Sequence, residues 1–160
     1  LAENAPVLKQ KETFLRWNSA LPDKRLLALL HVRFSGVATT YGRLLTLSAD
    51  LKDSVLIKVP SQANYDNCAR TSDPVYVELN GDGVDDVVFA TEVKSHCYPG
   101  NAEVPAIYLS NPSVEGGYCY SDAASRQLEP ADLTNAKAIQ AKILQEGERL
   151  GRDLLRCGPR

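Results

Sequence analysis

The residues best suited to chemistry lie in one short stretch, Glu78-Leu79-Asn80-Gly81-Asp82-Gly83-Val84-Asp85-Asp86. With Glu78 as position 1, oxygen-bearing side chains fall at positions 1, 3, 5 and 9, a glycine at position 6, and the Val84 carbonyl at position 7. This spacing lets a loop wrap a hard cation in six or seven oxygens, and calcium is the ion that it suits. The candidate ligands are the side chains of Glu78, Asn80, Asp82 and Asp86 together with the Val84 carbonyl. A second reading needs no ion, because Asn-Gly and Asp-Gly are the commonest hairpin signals. Charge opposes the bare turn: Glu78, Asp82, Asp85 and Asp86 place four carboxylates within nine residues.

The stretch resembles the D-x-[DN]-x-D-G-x-x-D loops of FG-GAP (VCBS-type) repeats. That resemblance implies a loop joining two strands around a structural Ca2+. It covers about fifteen of the 160 residues. One copy is present, so no multi-bladed propeller is implied, and Glu78 stands where the pattern prefers Asp. An EF-hand fits less well, since its bidentate Glu at position 12 is replaced by Phe89 and the flanks read as strands.

Other reactive residues are few. His31 falls in a leucine-rich run and reads as a partly buried structural residue. His96 adjoins Cys97, but adjacent side chains in an extended loop diverge, so the pair makes a poor nucleophile and base. No G-x-S-x-G, P-loop, G-x-G-x-x-G or H-E-x-x-H motif occurs. Cys68, Cys97, Cys119 and Cys157 are even in number and lack C-x-x-C spacing, which favours disulfides and an oxidising compartment, periplasmic or extracellular. Four buried free thiols are the alternative. If the acidic stretch joins two strands, the loops carrying Cys68 and Cys97 meet at one end of the hairpin. Cys68 is then expected to pair with Cys97, and Cys119 with Cys157.

The elements that must position these residues follow from patterning. Leu8 to Trp17 and Pro22 to Arg33 read as helices, the second opened by Pro22-Asp23. Arg43 to Ser48 and Ser54 to Val59 read as a hairpin. Val75 to Leu79 and Asp86 to Ala90 alternate as strands around the acidic loop, as do 106–110 and 117–121 around Asn111-Pro112. Leu133, Ala136, Ile139, Ile143, Gly147, Leu150, Leu154 and Cys157 trace one face of a helix from about 131 to 156. Gly147 on that face implies a close neighbour. The expected fold is α+β: one domain over 1–160, helical over 1–36, with an antiparallel sheet over 41–121 and a long C-terminal helix.

Composition sets outer bounds. At 44% hydrophobic and 24% charged the chain has the makings of a core, and a net charge of -2 offers no field for nucleic acid. The longest apolar run, Leu26 to Leu30, is far short of the roughly 20 residues of a membrane-spanning helix. The start at Leu1 and the absence of Met suit a processed chain. Strand alternation directs Tyr76, Tyr108, Tyr118 and Tyr120 to the second face of the sheet, either as a partner-binding surface or beneath the N-terminal helices. The expected function is a non-catalytic, exported protein-binding domain with a structural calcium loop, such as an inhibitor or immunity protein of a secreted enzyme, or an accessory module of a surface assembly. The alternative is a small metal-dependent hydrolase using the Glu78 to Asp86 cluster.

Overall fold

A computed structural model describes residues 11–34, 40–57, 69–93 and 102–158. The region read as two helices is a strand hairpin, β1 (Lys11–Ala20) and β2 (Leu26–Phe34), with Trp17 opposite Leu29 and Ser19 opposite Leu27. Pro22-Asp23 explains the misreading, because proline fits a helix's first turn and the second position of a β-turn equally well. Here the Lys24 N–H donates to the Leu21 carbonyl at 2.9 Å, and the Leu21 N–H to the Arg25 carbonyl at 2.8 Å. Lys24 closes this three-residue loop at φ 69°. Leucine's helix propensity yields to burial: Leu27 and Leu29 are wholly enclosed between layers.

Two further strands complete this sheet, β3 (Thr40–Leu47) and β4 (Ser54–Leu56), in the order β1-β2-β3-β4. They form the hairpin expected from 43–59. Its turn is tied by Ser48, whose N–H donates to the Asp53 carbonyl and whose hydroxyl donates to Asp50.

The second sheet contains β5 (Ala69–Thr71), β6 (Val75–Val77), β7 (Asp86–Val93), β8 (Ala102–Ser110) and β9 (Tyr118–Tyr120). All its pairings are antiparallel. Strands β5 and β6 pair with successive stretches of β7, Ala69 opposite Val93 and Val75 opposite Val88, so five strands fill four positions. Pro105 lies in β8 beyond the reach of β9, which pairs only with Tyr108 to Ser110. The missing N–H therefore faces no ladder partner. Two residues on, the Ile107 N–H is taken by the Ser125 hydroxyl at 2.9 Å.

Three layers result. Leu27, Leu29, Leu44 and Ile57 of the first sheet pack on Val87, Phe89, Tyr108, Tyr118 and Tyr120 of the second. On the other side, Val77, Val88, Ile107 and Leu109 pack on Ile139, Ile143 and Leu154. The second sheet is covered on both faces, which is why Val87 to Ala90 and Ala106 to Leu109 are buried without interruption. The expected α+β class, with helices over 1–36, is thus corrected to a β-rich fold of two antiparallel sheets and a C-terminal helix.

That helix, here α2 (Ala136–Leu150), follows a single-turn α1 (Asp122–Ser125) and is shorter than the span expected. Asn135 caps its start by accepting the Ala138 N–H at 3.0 Å. Gly151 ends it at φ 83°, a conformation that suits glycine. The chain then folds back so that Leu154 lies 3.9 Å from where a Gly147 Cβ would be, an ordinary contact with room for a side-chain carbon, so among the described residues no neighbour approaches closely enough to require glycine there. The Cys119–Cys157 disulfide is present, with Cα atoms 5.5 Å apart. It fastens the segment after α2 to β9, where the Gly158 N–H also donates to the Tyr120 carbonyl at 2.8 Å. Cys68, Cys97 and His96 lie outside the described residues, while His31 falls in β2 instead of on a helix. Among the described residues no helix is long and apolar enough to cross a membrane.

Candidate functional site

The acidic stretch is the connection between β6 and β7, as the strand readings on either side required. Its alternate oxygen-bearing side chains fold back onto the loop's own N–H groups. Glu78 Oε1 accepts from Gly81 at 2.5 Å, Asn80 Oδ1 from Asp82 at 3.1 Å, and Asp82 Oδ1 from Val84 at 2.8 Å. Gly81 and Gly83 both sit at φ +80°, so the loop's curvature needs glycine at each.

Ser110, at the end of β8, gathers the rest. Its N–H donates to Asp86 Oδ1 at 2.7 Å, its hydroxyl donates to Asp82 Oδ2, and its carbonyl accepts the Asn80 amide at 2.9 Å. Asp86 is wholly buried, and its other oxygen accepts the Leu79 N–H at 2.8 Å. Burial pushes its carboxyl up to about 6 against the pull of those two N–H groups, and the charges of Asp82 and Glu78 add to the rise. The Glu78 carbonyl accepts from Gln140, which ties the loop to α2.

Four of the five expected ion ligands are therefore neighbours: Glu78, Asn80, Asp82 and Asp86. The fifth, Val84, bonds through its N–H to Asp82. These residues match a calcium site in type and spacing. The acidic oxygens point at N–H and O–H donors, and Asn80 turns its amide nitrogen toward Asp86 and Ser110. Among the described residues no three acidic, cysteine or histidine side chains are grouped so as to hold a metal ion.

The loop forms one wall of a cleft of about 220 Å³, lined by Leu21, Pro22, Arg25, Asp82, Pro112 and Tyr118 among others. Three turns meet there, and each is pinned to another. Arg25 donates to the Gly116 carbonyl at 3.1 Å while its Nε holds Asp23. The Tyr118 hydroxyl donates to the Asp85 carbonyl at 3.1 Å, and burial with the Asp86 charge nearby pushes that phenol up to about 12. A Cβ at Gly116 would come within 2.7 Å of Ile57 in the first sheet. The site's end of the molecule is thus locked to both sheets.

The expected tyrosine contact face is corrected. Alternation sorted the faces properly, with Tyr76, Tyr108, Tyr118 and Tyr120 opposite Ile107 and Leu109. However, the first sheet covers that face. Tyr108, Tyr118 and Tyr120 are buried and Tyr76 is half-buried, so none of the four forms an open surface. Tyr108 stacks on Phe89 with centroids 5.6 Å apart and meets Tyr120 edge-on at 5.7 Å. The Tyr76 hydroxyl is buried without a hydrogen-bond partner among the described residues.

Sequence reasoning missed Ser110 and Arg25. Ser110 is 24 residues from Asp86, and only the pairing of β7 with β8 brings them together. The sequence pattern places Arg25 in a helix, whereas the turn it closes is what points it at Gly116. No family model, curated protein or solved structure matches this chain.

Proposed function

We propose that this chain is an exported, non-catalytic binding domain that engages a protein partner through the cleft end where its three turns meet. The carrying observation is how the site's polar groups are used. Asp82, Asp86, Ser110 and Tyr118 are each committed to a hydrogen bond within the protein, so they act as a framework instead of as a base or nucleophile. Leu21, Pro22, Val84 and Pro112 then face the cleft on loops held by a rigid scaffold, the usual way that layered β folds build contact sites. The Cys119–Cys157 disulfide supports the exported, periplasmic or extracellular setting.

A photo-crosslinking residue at the exposed Pro112 tests this in cells expressing the full chain. One defined adduct is expected from that position and none from Lys137 on the exposed side of α2. Absence of any adduct at Pro112, together with hydrolytic turnover that Asp82→Ala abolishes, would support the metal-dependent hydrolase instead.

Calcium at the Glu78 to Asp86 loop is a second reading. It is favoured by the buried Asp86 carboxylate, whose ionisation the charges of Asp82 and Glu78 oppose. A divalent cation would remove that repulsion.

A further inference from the structure

Beside α2 lies a second hollow, of about 360 Å³, which shares no lining residue with the cleft. Its apolar walls are Leu79 after β6, Ile143 and Leu144 of α2, and Leu154 and Leu155 of the segment that folds back after the helix. Leu144 is 63% exposed there.

Gly147 keeps the hollow open. A glycine inside a helix costs stability, and no described neighbour demands this one: an added Cβ would meet only Leu154, at 3.9 Å. Leu154 is itself a wall of the hollow, so that Cβ would project into the empty space. A larger side chain at 147 would fill it.

Charge sets the kind of occupant. Glu78 and Glu148 border the hollow with Gln140 as the third polar side chain besides the apolar walls, and no basic residue lines it. Lys142 and Arg149, on the same turns of α2, are both held by Glu146. The Gln140 amide is committed to the Glu78 carbonyl, and one Glu78 oxygen accepts the Gly81 N–H. Glu148 has no ion pair among the described residues.

We infer that this hollow binds a small amphiphilic cation, an apolar body carrying one ammonium or guanidinium group. Its volume of about 360 Å³ falls at the lower end of the roughly 300–1,000 Å³ of small-molecule sites. Mostly apolar walls with a few polar groups to fix orientation are the usual make-up of such sites. Carboxylates beside a low-dielectric space attract a cation more strongly than they would in open water, and they repel an anion. A partner protein's single anchoring side chain would leave much of the space empty.

Isothermal titration calorimetry of the full chain is the test, with octyltrimethylammonium and with octyl sulfate as the matched anion, both below micelle-forming concentrations. One saturable site is expected for the ammonium, with the sulfate weaker by about tenfold or more. Glu148→Gln, at an exposed residue, should weaken the ammonium by about threefold and narrow its lead over the sulfate. Gly147→Leu should fill the hollow and weaken the ammonium by about tenfold or more. Its melting temperature should hold or rise, because leucine is the better helix former. If Gly147→Leu melts lower instead, Glu148→Gln decides by the same readout. Absence of saturable binding, equal affinity for the two probes, or an ammonium affinity that a folded variant leaves unchanged overturns the inference. So does a Leu/Lys-rich amphipathic peptide that binds where the free ammonium does not, since the hollow would then be a protein-docking groove.

Discussion

Asp86 and Ser110 are joined by a 2.7 Å hydrogen bond from the serine backbone to a wholly buried carboxylate, across 24 residues of sequence. The same carboxylate takes the Leu79 N–H, so one side chain fixes both the start of the acidic loop and the end of β8. Around this contact the cleft end acquires its shape.

The buried carboxyl makes stability depend on pH. Its folded value of about 6 lies above the ordinary 3.8, so the folded chain holds this proton more tightly than the unfolded chain does. The resulting stabilisation is fully present below about 3.8 and is lost as pH rises through about 6. Asp86→Asn should flatten this part of a urea-midpoint profile between pH 4 and 7. Whatever the substitution costs should be largest at low pH and shrink toward pH 7, because above about 6 the wild-type carboxylate loses the stabilisation that the neutral amide never carried. An unchanged slope in the variant would assign the dependence to another group.

The tyrosines now carry a stability prediction. Tyr108→Ala, and to a lesser degree Tyr120→Ala, should destabilise by about 3–5 kcal/mol in urea titrations, the range for emptying an aromatic core position. A variant that unfolds as the wild type does, yet loses partner binding, would restore the contact-face reading.

Disulfide mapping separates the described bridge from the expected one. A peptide map of unreduced protein should link Cys119 to Cys157 and Cys68 to Cys97. Ala69 opposite Val93 supports the second link, because the chain enters β5 and leaves β7 at the same end of the sheet. Replacing Cys119 and Cys157 with Ala should cost about 2–4 kcal/mol. A Cys97–Cys119 peptide would contradict the arrangement.

The calcium reading has its own outcome. If the loop binds the ion, millimolar calcium added to chelated protein should raise the melting temperature by several degrees. Free ion a hundredfold above Kd contributes about 2.7 kcal/mol. Magnesium should do much less, and Asp82→Ala should remove the effect. Identical melts in calcium and chelator would leave the loop to its hydrogen bonds alone.

The second sheet was legible in the sequence because its signals are local. Alternation gave Val75 to Leu79 and the tyrosine face, Asn-Gly and Asp-Gly gave the hairpin, and the inward Cys119 gave its partner Cys157, which lies past the end of α2 instead of on the helix. The first sheet was not legible. A run such as Leu26-Leu27-Ala28-Leu29-Leu30 has no period of two to betray a strand, since both faces are apolar. Pro22-Asp23 then supplied a false helix start. The ligand spacing of Glu78, Asn80, Asp82 and Asp86 was visible too, but the residue that gathers three of them, Ser110, belongs to a distant strand and carried no motif.

A double-mutant cycle between Ser110 and Asp82, by urea unfolding at pH 7 in chelator, tests most directly whether the cleft end is a hydrogen-bonded framework. Ser110→Ala and Asp82→Ala should each cost about 1–2 kcal/mol, and the double variant should cost no more than the larger single change. Additive losses would contradict the account, because they would mean that the serine hydroxyl and the aspartate do not hold the loop together.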